Sequence, residues 1–279
     1  MLKKAYIEIT NRCNLRCDFC PGTRRTLGEM TAADFRTAGE RLRPYVGYFY
    51  LHVMGEPLLH PELREILAIC SELDAKVCLT TNGTLLPARR ETLLAAPALH
   101  KVSVSLHSME GNGAMALTDY LGEAWSFACA AAERGIICAL RLWNLGGAES
   151  RNGEILSFLE ERIGQPPLCC PQPRRGSWRL GERLYLELAE RFDWPDLAAQ
   201  ETGAAFCQAL RSQVAVLVDG TVVPCCLDHE GDIPLGNIFL EELPAILQSP
   251  RAKALYDGFS RRQPSEALCR RCGYAKRFG

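Results

Sequence analysis

The chain has 279 residues, with 32 lysines and arginines against 33 aspartates and glutamates and a net charge of −1. Such a balance lacks the basic face of a protein that binds nucleic acid regardless of its sequence, which argues against a long RNA or DNA substrate. The sequence has no apolar run near Met1 long enough for a signal peptide and no window that could span a membrane, so we expect a cytoplasmic protein. Its fourteen cysteines therefore indicate metal or redox chemistry rather than a disulfide framework.

The first predicted strand covers residues 5–10, and a loop rich in cysteine follows it directly. Cys13, Cys17 and Cys20 have the spacing C-x3-C-x2-C, with Phe19 before the last cysteine. Iron–sulfur clusters in proteins are normally held by four cysteines, so three thiolates could hold three irons of a four-iron cubane and leave the fourth iron open. The alternative is a thioredoxin-like redox pair of Cys17 and Cys20, for which Cys13 is superfluous.

Strands and helices alternate along the next part of the chain. Short apolar runs rich in strand-favouring residues predict strands at 48–52, 76–80, 101–106 and 136–142. Helical periodicity predicts helices near 31–43, 61–73, 87–96, 114–134 and 151–163, the first of them beginning after Thr31. This alternation predicts an α/β fold with a parallel sheet, whose active site lies at the carboxyl ends of the strands.

Polar residues and glycines follow these strands on that edge of the sheet. They are Gly55 and Glu56 after the second strand, Asn82 after the third, and Ser105 and His107 at the end of the fourth. Each also has a structural interpretation. Glu56 before a proline suits a strand-to-helix turn, Asn82 before a glycine suits a tight turn, and Ser105 and His107 could mark a solvated strand end.

Arg141 lies between Leu140 and Leu142 in the predicted fifth strand. A cation in a buried strand needs an anion, because an unpaired buried charge is costly. Two anions are possible, the carboxylate of a bound ligand or a structural salt bridge.

The alternation breaks at 165–181, which contains four prolines. A sixth strand is predicted at 183–188, and the sequence after it lacks regular alternation of strands and helices. We therefore predict a domain boundary near residue 190, with one domain at 1–190 and a second at 191–279.

A second set of cysteines lies in the C-terminal part. Cys207 precedes Gly220 by thirteen residues, Cys225 follows five residues later, and Cys269 and Cys272 form a C-x2-C pair. The turn at Gly220 predicts a hairpin that brings Cys225 back towards Cys207. Four thiolates match full ligation of a [4Fe-4S] cluster, although two cysteine pairs are also a zinc pattern. The adjacent Cys226 could replace Cys225 as a ligand, or could supply a proton or hydrogen atom.

Taken together, these motifs resemble those of the radical S-adenosylmethionine (SAM) enzymes. The N-terminal cysteine spacing, the Met54-Gly55-Glu56-Pro57 run and the C-x12-G-x4-C pattern with its later C-x2-C pair match that family and its SPASM and twitch extensions. The resemblance implies a partial (β/α)6 TIM-like barrel over 1–190 and a small twitch-like auxiliary-cluster domain over 191–279. It covers nearly the whole chain.

The resemblance also implies cofactors and the residues that bind them. Cys13, Cys17 and Cys20 would hold a [4Fe-4S] cluster whose open iron binds SAM. Glu56 would bind the SAM ammonium and Arg141 its carboxylate or ribose. The same pocket would be lined by Phe19, Gly55, Asn82, Ser105 and His107. One auxiliary [4Fe-4S] cluster is expected, at Cys207, Cys225, Cys269 and Cys272, because too few cysteines follow for the full SPASM set.

The implied reaction is reductive cleavage of SAM to a 5′-deoxyadenosyl radical, which abstracts hydrogen from a small-molecule or peptide substrate. The auxiliary cluster would assist electron transfer, and the first electron would come from an external donor such as flavodoxin or ferredoxin. Because the chain begins at its first strand, no N-terminal peptide-recognition domain is expected. The competing class is a non-enzymatic iron–sulfur or zinc-binding protein, or an electron-transfer module.

Overall fold

The computed structural model describes residues 2–110, 112, 116–203 and 205–278. The strands are β1 (Lys4–Ile7), β2 (Tyr48–Tyr50), β3 (Lys76–Thr81), β4 (Leu99–Ser105), β5 (Ile137–Leu145), β6 (Ser177–Gly181), β7 (Leu184–Glu190), β8 (Gln213–Val216), β9 (Thr221–Val223) and β10 (Gly236–Asn237). The α-helices are α1 (Ala32–Leu42), α2 (Leu63–Glu72), α3 (Leu86–Leu94), α4 (Leu117–Glu133), α5 (Asn152–Ile163), α6 (Leu243–Leu247), α7 (Pro250–Ser260) and α8 (Ala267–Arg270). Residues 1 and 279, which bound the predicted domains, and the predicted helix start at 114 lie outside the described residues.

These strands form one sheet in the order β10-β9-β8-β1-β2-β3-β4-β5-β7-β6. Neighbouring strands from β1 to β5, and then β7, pair in parallel. Helices α1 to α5 connect these six parallel strands, one in each crossover. The predicted α/β fold, a six-stranded partial barrel followed by a small C-terminal part, is confirmed.

The first helix shows how local sequence sets these elements. The Thr31 hydroxyl accepts a hydrogen bond from the Asp34 backbone N–H at 3.1 Å and so caps α1. Phe35, Ala38 and Leu42, three or four residues apart, are fully buried. Burial of each large apolar side chain contributes roughly 1.5–3 kcal/mol. None of the described helices is long and apolar enough to cross a membrane.

Side chains alternate along β1 between the outer core and the inside of the barrel. Ala5, Ile7 and Ile9 pack into the main hydrophobic core. Lys4 and Tyr6 instead line a central cavity. This alternation, which follows from the two-residue period of a strand, gives the barrel a polar interior wall on β1.

Strand β6 was not predicted. It lies in the proline-rich segment at 165–181 and pairs antiparallel with β7 at the edge of the sheet. The last proline of that segment, Pro173, precedes the strand, so β6 keeps the N–H groups that an edge strand needs.

The C-terminal part continues the barrel sheet. Strands β8 and β9 form the predicted antiparallel hairpin, with Gly220 at φ +83° in its turn. Strand β8 also pairs in parallel with β1, from Lys4 opposite Gln213 to Ile7 opposite Val216. The division at residue 190 stays a prediction, and the sheet runs across it.

Candidate active site and cysteine sites

The loop of Cys13, Cys17 and Cys20 lies beyond the carboxyl end of β1. Cys13 and Cys20 are exposed, and Cys17 is half-buried. The Cys17 sulfur lies 3.6 Å from the carbonyl oxygen of Ser108 and 3.5 Å from the side-chain nitrogen of Asn112, both beyond β4. The structure therefore places the loop at the edge of the sheet where an active site is expected.

The electrostatics of this loop suit a positively charged metal cluster. Burial raises the pKa of all three thiols, and for Cys17 burial together with the nearby Cys20 and Cys13 raises the pKa to about 11. Three thiolates in one small space repel each other, and bound iron would supply the charge that stabilises them. The donor set fits an iron–sulfur cluster with three thiolate ligands.

Gly55 packs against the start of this loop. Its φ is +75°, and a Cβ atom there would lie 2.6 Å from the carbonyl oxygen of Thr10 and 2.7 Å from that of Arg12. The next residue, Glu56, donates its backbone N–H to the Arg12 carbonyl at 2.8 Å. Only glycine fits this approach, so Gly55 fixes the turn after β2 against the cysteine loop.

The Glu56 carboxylate is buried and already has three hydrogen-bond donors. It accepts from the backbone N–H of Leu58 at 3.0 Å, the hydroxyl of Thr81 at 2.7 Å and the backbone N–H of Asn82 at 2.7 Å. Burial raises the pKa of Glu56 to about 7, and these bonds oppose the shift. Through its bond to Leu58, Glu56 caps the turn that follows it, as its structural interpretation predicted. Its role in binding SAM stays a prediction.

Asn82 lies beside the cysteine loop. Its side-chain nitrogen donates to the side-chain oxygen of Asn14 at 2.9 Å and is 4.0 Å from the Cys13 sulfur. Its own oxygen accepts from the Thr84 backbone N–H at 3.0 Å. Gly55, Glu56 and Asn82 therefore contact the first part of the loop, and none of them belongs to the described lining of the central cavity.

The remaining predicted residues line that cavity, which has a volume of about 430 Å³. They are Phe19, Ser105, His107 and Arg141. The rings of Phe19 and His107 are 4.6 Å apart, and Nδ1 of His107 lies 3.1 Å from the carbonyl oxygen of Arg141. Burial lowers the pKa of His107, which favours a neutral imidazole.

Arg141 has an anionic partner within the protein. Its Nε lies 3.2 Å from Glu187, its guanidinium bonds the Thr80 hydroxyl at 3.2 Å, and it stacks 4.4 Å above the Trp143 ring. Burial alone would raise the pKa of Glu187, but Arg141, Lys101 and Arg174 lower it. The structural salt bridge is therefore present, and contact of Arg141 with SAM stays a prediction.

The four C-terminal cysteines surround a second, smaller cavity. Cys207, Cys225, Cys269 and Cys272 all line it, among apolar residues such as Ile233, Phe259 and Leu268. Burial raises the pKa of each thiol, and Cys207 raises those of the other three. All four thiols line this cavity, and among the described residues no three His, Cys, Asp or Glu side chains are grouped as ligands of a single metal ion. Four thiols around an apolar cavity fit a four-iron cluster.

The adjacent residues Cys225 and Cys226 line different cavities. Cys225 lines the four-cysteine cavity, whereas Cys226 lines the central cavity and hydrogen-bonds Tyr6. Burial raises the pKa of Cys226 to about 11. Cys225 is thus the member of this pair placed with the other three C-terminal thiols.

Sequence reasoning missed Glu8, which joins three parts of the site. Its buried carboxylate accepts from Arg25 of the cysteine loop at 2.7 Å, from the Met54 backbone N–H at 3.1 Å and from the Val218 backbone N–H at 3.1 Å. A signal was available, because a carboxylate between Ile7 and Ile9 in a buried strand must have partners.

The C-terminal part also covers the cysteine loop. The indole N–H of Trp194 donates to the Phe19 carbonyl at 3.1 Å, and Arg25 donates to the His229 carbonyl at 2.7 Å. The central cavity thus lies between the barrel and the C-terminal part.

Comparison with known proteins gives two family matches. The family model of the radical SAM superfamily matches residues 7–139, and that of SPASM, an iron–sulfur cluster-binding domain, matches residues 207–273. The two matches include the three-cysteine loop and the four C-terminal cysteines, respectively.

Individual relatives match over different lengths. GTP 3′,8-cyclase of Aquifex aeolicus (strain VF5) is 36% identical over 117 residues, which is 39% of this chain and 36% of that protein. The antilisterial bacteriocin subtilosin biosynthesis protein AlbA of Bacillus subtilis (strain 168) is 24% identical and covers 97% of this chain and 65% of its own. The chain spans little more than a third of the length of the GTP 3′,8-cyclases that it matches.

Two solved structures share the fold. BtrN in complex with AdoMet and 2-DOIA has a TM-score of 0.62 at 21% identity, covering 98% of this chain and 93% of BtrN. Streptococcus suis SuiB bound to its precursor peptide SuiA has a TM-score of 0.63 at 18% identity, covering 99% of this chain and 70% of SuiB.

Proposed function

The chain belongs to the radical SAM superfamily and carries a SPASM-type iron–sulfur domain. We therefore propose that it is an enzyme that reductively cleaves SAM and removes a hydrogen atom from a substrate. Membership implies a [4Fe-4S] cluster, SAM and an auxiliary iron–sulfur cluster as cofactors.

One observation carries this proposal. A single cavity is flanked by both sulfur sets, because Phe19, next to Cys20, and Cys226, next to Cys225, both line it. A substrate in that cavity would be within reach of chemistry at the first cluster and of electron transfer to the second. An isolated electron-transfer module has no need for such a cavity.

We assign the first cluster to Cys13, Cys17 and Cys20. With SAM bound, the cluster supplies one-electron reductive cleavage of SAM, and the protein supplies orientation and exclusion of water. The side-chain nitrogen of Asn112 near the Cys17 sulfur and that of Asn82 near the Cys13 sulfur would tune the cluster potential, since hydrogen bonds to sulfur do so.

We place SAM at the carboxyl end of the barrel, between the cysteine loop and the central cavity. Phe19, Ser105, His107 and Arg141 would line it on the cavity side. Gly55, Glu56 and Asn82 would hold it on the loop side, with the Glu56 carboxylate at its ammonium. The charge on Arg141 suits the SAM carboxylate or ribose.

The auxiliary cluster is assigned to Cys207, Cys225, Cys269 and Cys272, as one [4Fe-4S] cluster in a twitch-like domain. Four thiolates leave no open iron, so this cluster would accept an electron from the substrate rather than bind it. A zinc ion would stabilise the domain but could not take part in this electron transfer.

The substrate is a small molecule or a peptide. Each alternative has a structural neighbour that supports it, since BtrN is solved with 2-DOIA and SuiB with a precursor peptide. The reducing electron would come from a donor such as flavodoxin or ferredoxin. A reducing, cytoplasmic location suits the fourteen cysteines, all of which are free thiols.

Anaerobic turnover tests the proposal. Reconstituted protein, reduced with dithionite in the presence of SAM, should form 5′-deoxyadenosine, and a Cys13→Ala variant should not. Equal amounts from both proteins would refute the enzymatic function.

A further inference from the structure

We propose that the inner end of the central cavity binds an anionic group of the substrate, a carboxylate or a phosphate, through Lys4. This inference rests on the proposed function, in which SAM occupies the end of the cavity nearest the cysteine loop. It narrows the proposed substrate from any small molecule or peptide to one that carries a carboxylate or a phosphate.

Lys4 lies deep in the barrel relative to the cluster loop. It is the first residue of β1, nine positions before Cys13. At about 3.3 Å per residue, β1 from Lys4 to Ile7 spans roughly 10 Å, and five further residues precede Cys13. Lys4 therefore belongs to the far half of the cavity, away from the predicted SAM site.

The Lys4 ammonium has no anionic partner in the described part of the chain. Its Nζ donates to the Tyr6 hydroxyl at 2.9 Å and lies 4.9 Å from the ring centres of both Tyr6 and Tyr50. Lys101, by contrast, pairs with Glu187 at 2.8 Å. Burial lowers the pKa of Lys4, and the nearby Cys226 and Cys78 side chains oppose that shift. With no carboxylate beside it, the half-buried ammonium would be stabilised further by a ligand anion.

The charged side chains that line the cavity are all cationic, although Arg141 is already paired with Glu187 outside the described lining. Lys4, Arg141 and Arg191 line it, and no described lining residue is an aspartate or glutamate. His52 adds no negative charge, and burial, Arg141 and Lys4 lower its pKa to about 3. Such a lining attracts an anion and disfavours an ammonium-bearing substrate.

Neutral donors complete the inner end. Ser212, Gln208 and Gln213, from the C-terminal part, line the same cavity as Lys4 and can donate hydrogen bonds to an anion. The volume of about 430 Å³ is at the small end of the usual range for ligand pockets. With SAM also present, this space suits a compact anionic group.

Protection of Lys4 from acetylation tests the inference without turnover. Reconstituted protein with SAM is treated anaerobically with acetic anhydride, and modification of each lysine is followed by mass spectrometry. Inorganic phosphate or succinate should slow acetylation of Lys4 at least fivefold, and the anion that protects distinguishes a phosphate from a carboxylate site. Choline, a cation without a reactive amine, should not protect it. Lys76 is the matched control, because it also lies over a tyrosine ring, at 5.8 Å from Tyr48, but on the protein surface.

A second measurement uses variants. Phosphate or succinate should raise the unfolding temperature of the wild type and of Lys76→Gln, but not of Lys4→Gln. The inference is overturned if neither anion protects Lys4 in the wild type, or if choline protects it equally well. Because neither experiment requires SAM cleavage, a failure here is distinct from a failure to form 5′-deoxyadenosine.

Discussion

At the residue scale, Glu56 is the most sensitive probe of the SAM site that we propose. Its pKa of about 7 means that the carboxyl is half-protonated near neutral pH. A SAM ammonium needs the carboxylate, so lowering the pH from 8 to 6 should weaken SAM binding by about tenfold through Glu56 alone. At pH 8, Glu56→Gln should cost roughly 2–5 kcal/mol of SAM binding.

Equilibrium SAM titrations of the reconstituted proteins at both pH values measure this effect. The Glu56→Gln variant is the control for the pH dependence, because titration of the SAM amino group affects both proteins equally whereas titration of Glu56 affects only the wild type. If both proteins bind SAM equally tightly at pH 8, Glu56 serves only the turn that it caps.

Arg141 can be separated from its salt bridge by a matched pair of variants. Arg141 and Lys101 both bond Glu187, but only Arg141 belongs to the described lining of the cavity. Arg141→Ala should weaken SAM binding by roughly 2–5 kcal/mol. Lys101→Met should leave it nearly unchanged. Equal losses would mean that Arg141 acts only through Glu187.

Individual residues also show what the sequence could and could not predict. The three cysteines at the strand end were predictable from their spacing. Glu8 was detectable in principle, as a carboxylate in an apolar strand, but its partners at Arg25, Met54 and Val218 are distant in the sequence. The inward direction of Cys226 was not predictable, because a local motif does not fix which of two adjacent thiols faces which cavity.

At the scale of elements, the turn after β2 depends on a glycine. Gly55 and Gly135 share a positive φ, of +75° and +81°, but only Gly55 has backbone oxygens where a Cβ would go. Gly135→Ala should therefore cost about 1 kcal/mol of stability, from backbone strain. Gly55→Ala should cost roughly 1–3 kcal/mol more. Denaturant unfolding of both variants measures the difference, and equal losses would contradict the close packing of this turn on the cysteine loop.

Just after β9, the adjacent residues Cys225 and Cys226 face different cavities, and only Cys225 is expected to be a ligand of the auxiliary cluster. Wild-type protein should contain about eight irons if both clusters are four-iron cubanes. Cys225→Ala should retain about four, whereas Cys226→Ala should retain about eight. Iron and zinc analysis of the three proteins checks this. Loss of iron in Cys226→Ala would overturn the ligand assignment, and about four irons with one zinc in the wild type would show that the C-terminal site is structural.

Among the elements, the repeating strands and helices of the barrel were predictable because each has a strong local period. Strand β6 was missed because its segment is dominated by prolines, and its pairing with β7 depends on a neighbour rather than on its own pattern. The β8–β9 hairpin was predictable from its glycine turn. The parallel pairing of β8 with β1 was not predictable, because the sequence of a four-residue strand does not identify a partner strand some two hundred positions away.

At the scale of the whole molecule, the barrel and the C-terminal part form one structure around one cavity. The shared sheet, the bond from Trp194 to Phe19 and the bond from Arg25 to His229 hold the two parts together. This arrangement places a sequence neighbour of each sulfur set, Phe19 and Cys226, on the lining of the cavity. In the reaction that we propose, an electron removed from substrate would have a nearby acceptor in the auxiliary cluster.

The central claim is that a cluster at Cys13, Cys17 and Cys20 keeps an iron open for SAM. The most direct test is electron paramagnetic resonance of the reduced Cys225→Ala variant, which should carry only that cluster. Addition of SAM should change the spectrum, because SAM would bind the open iron of that cluster. A spectrum that is identical with and without saturating SAM would contradict the account.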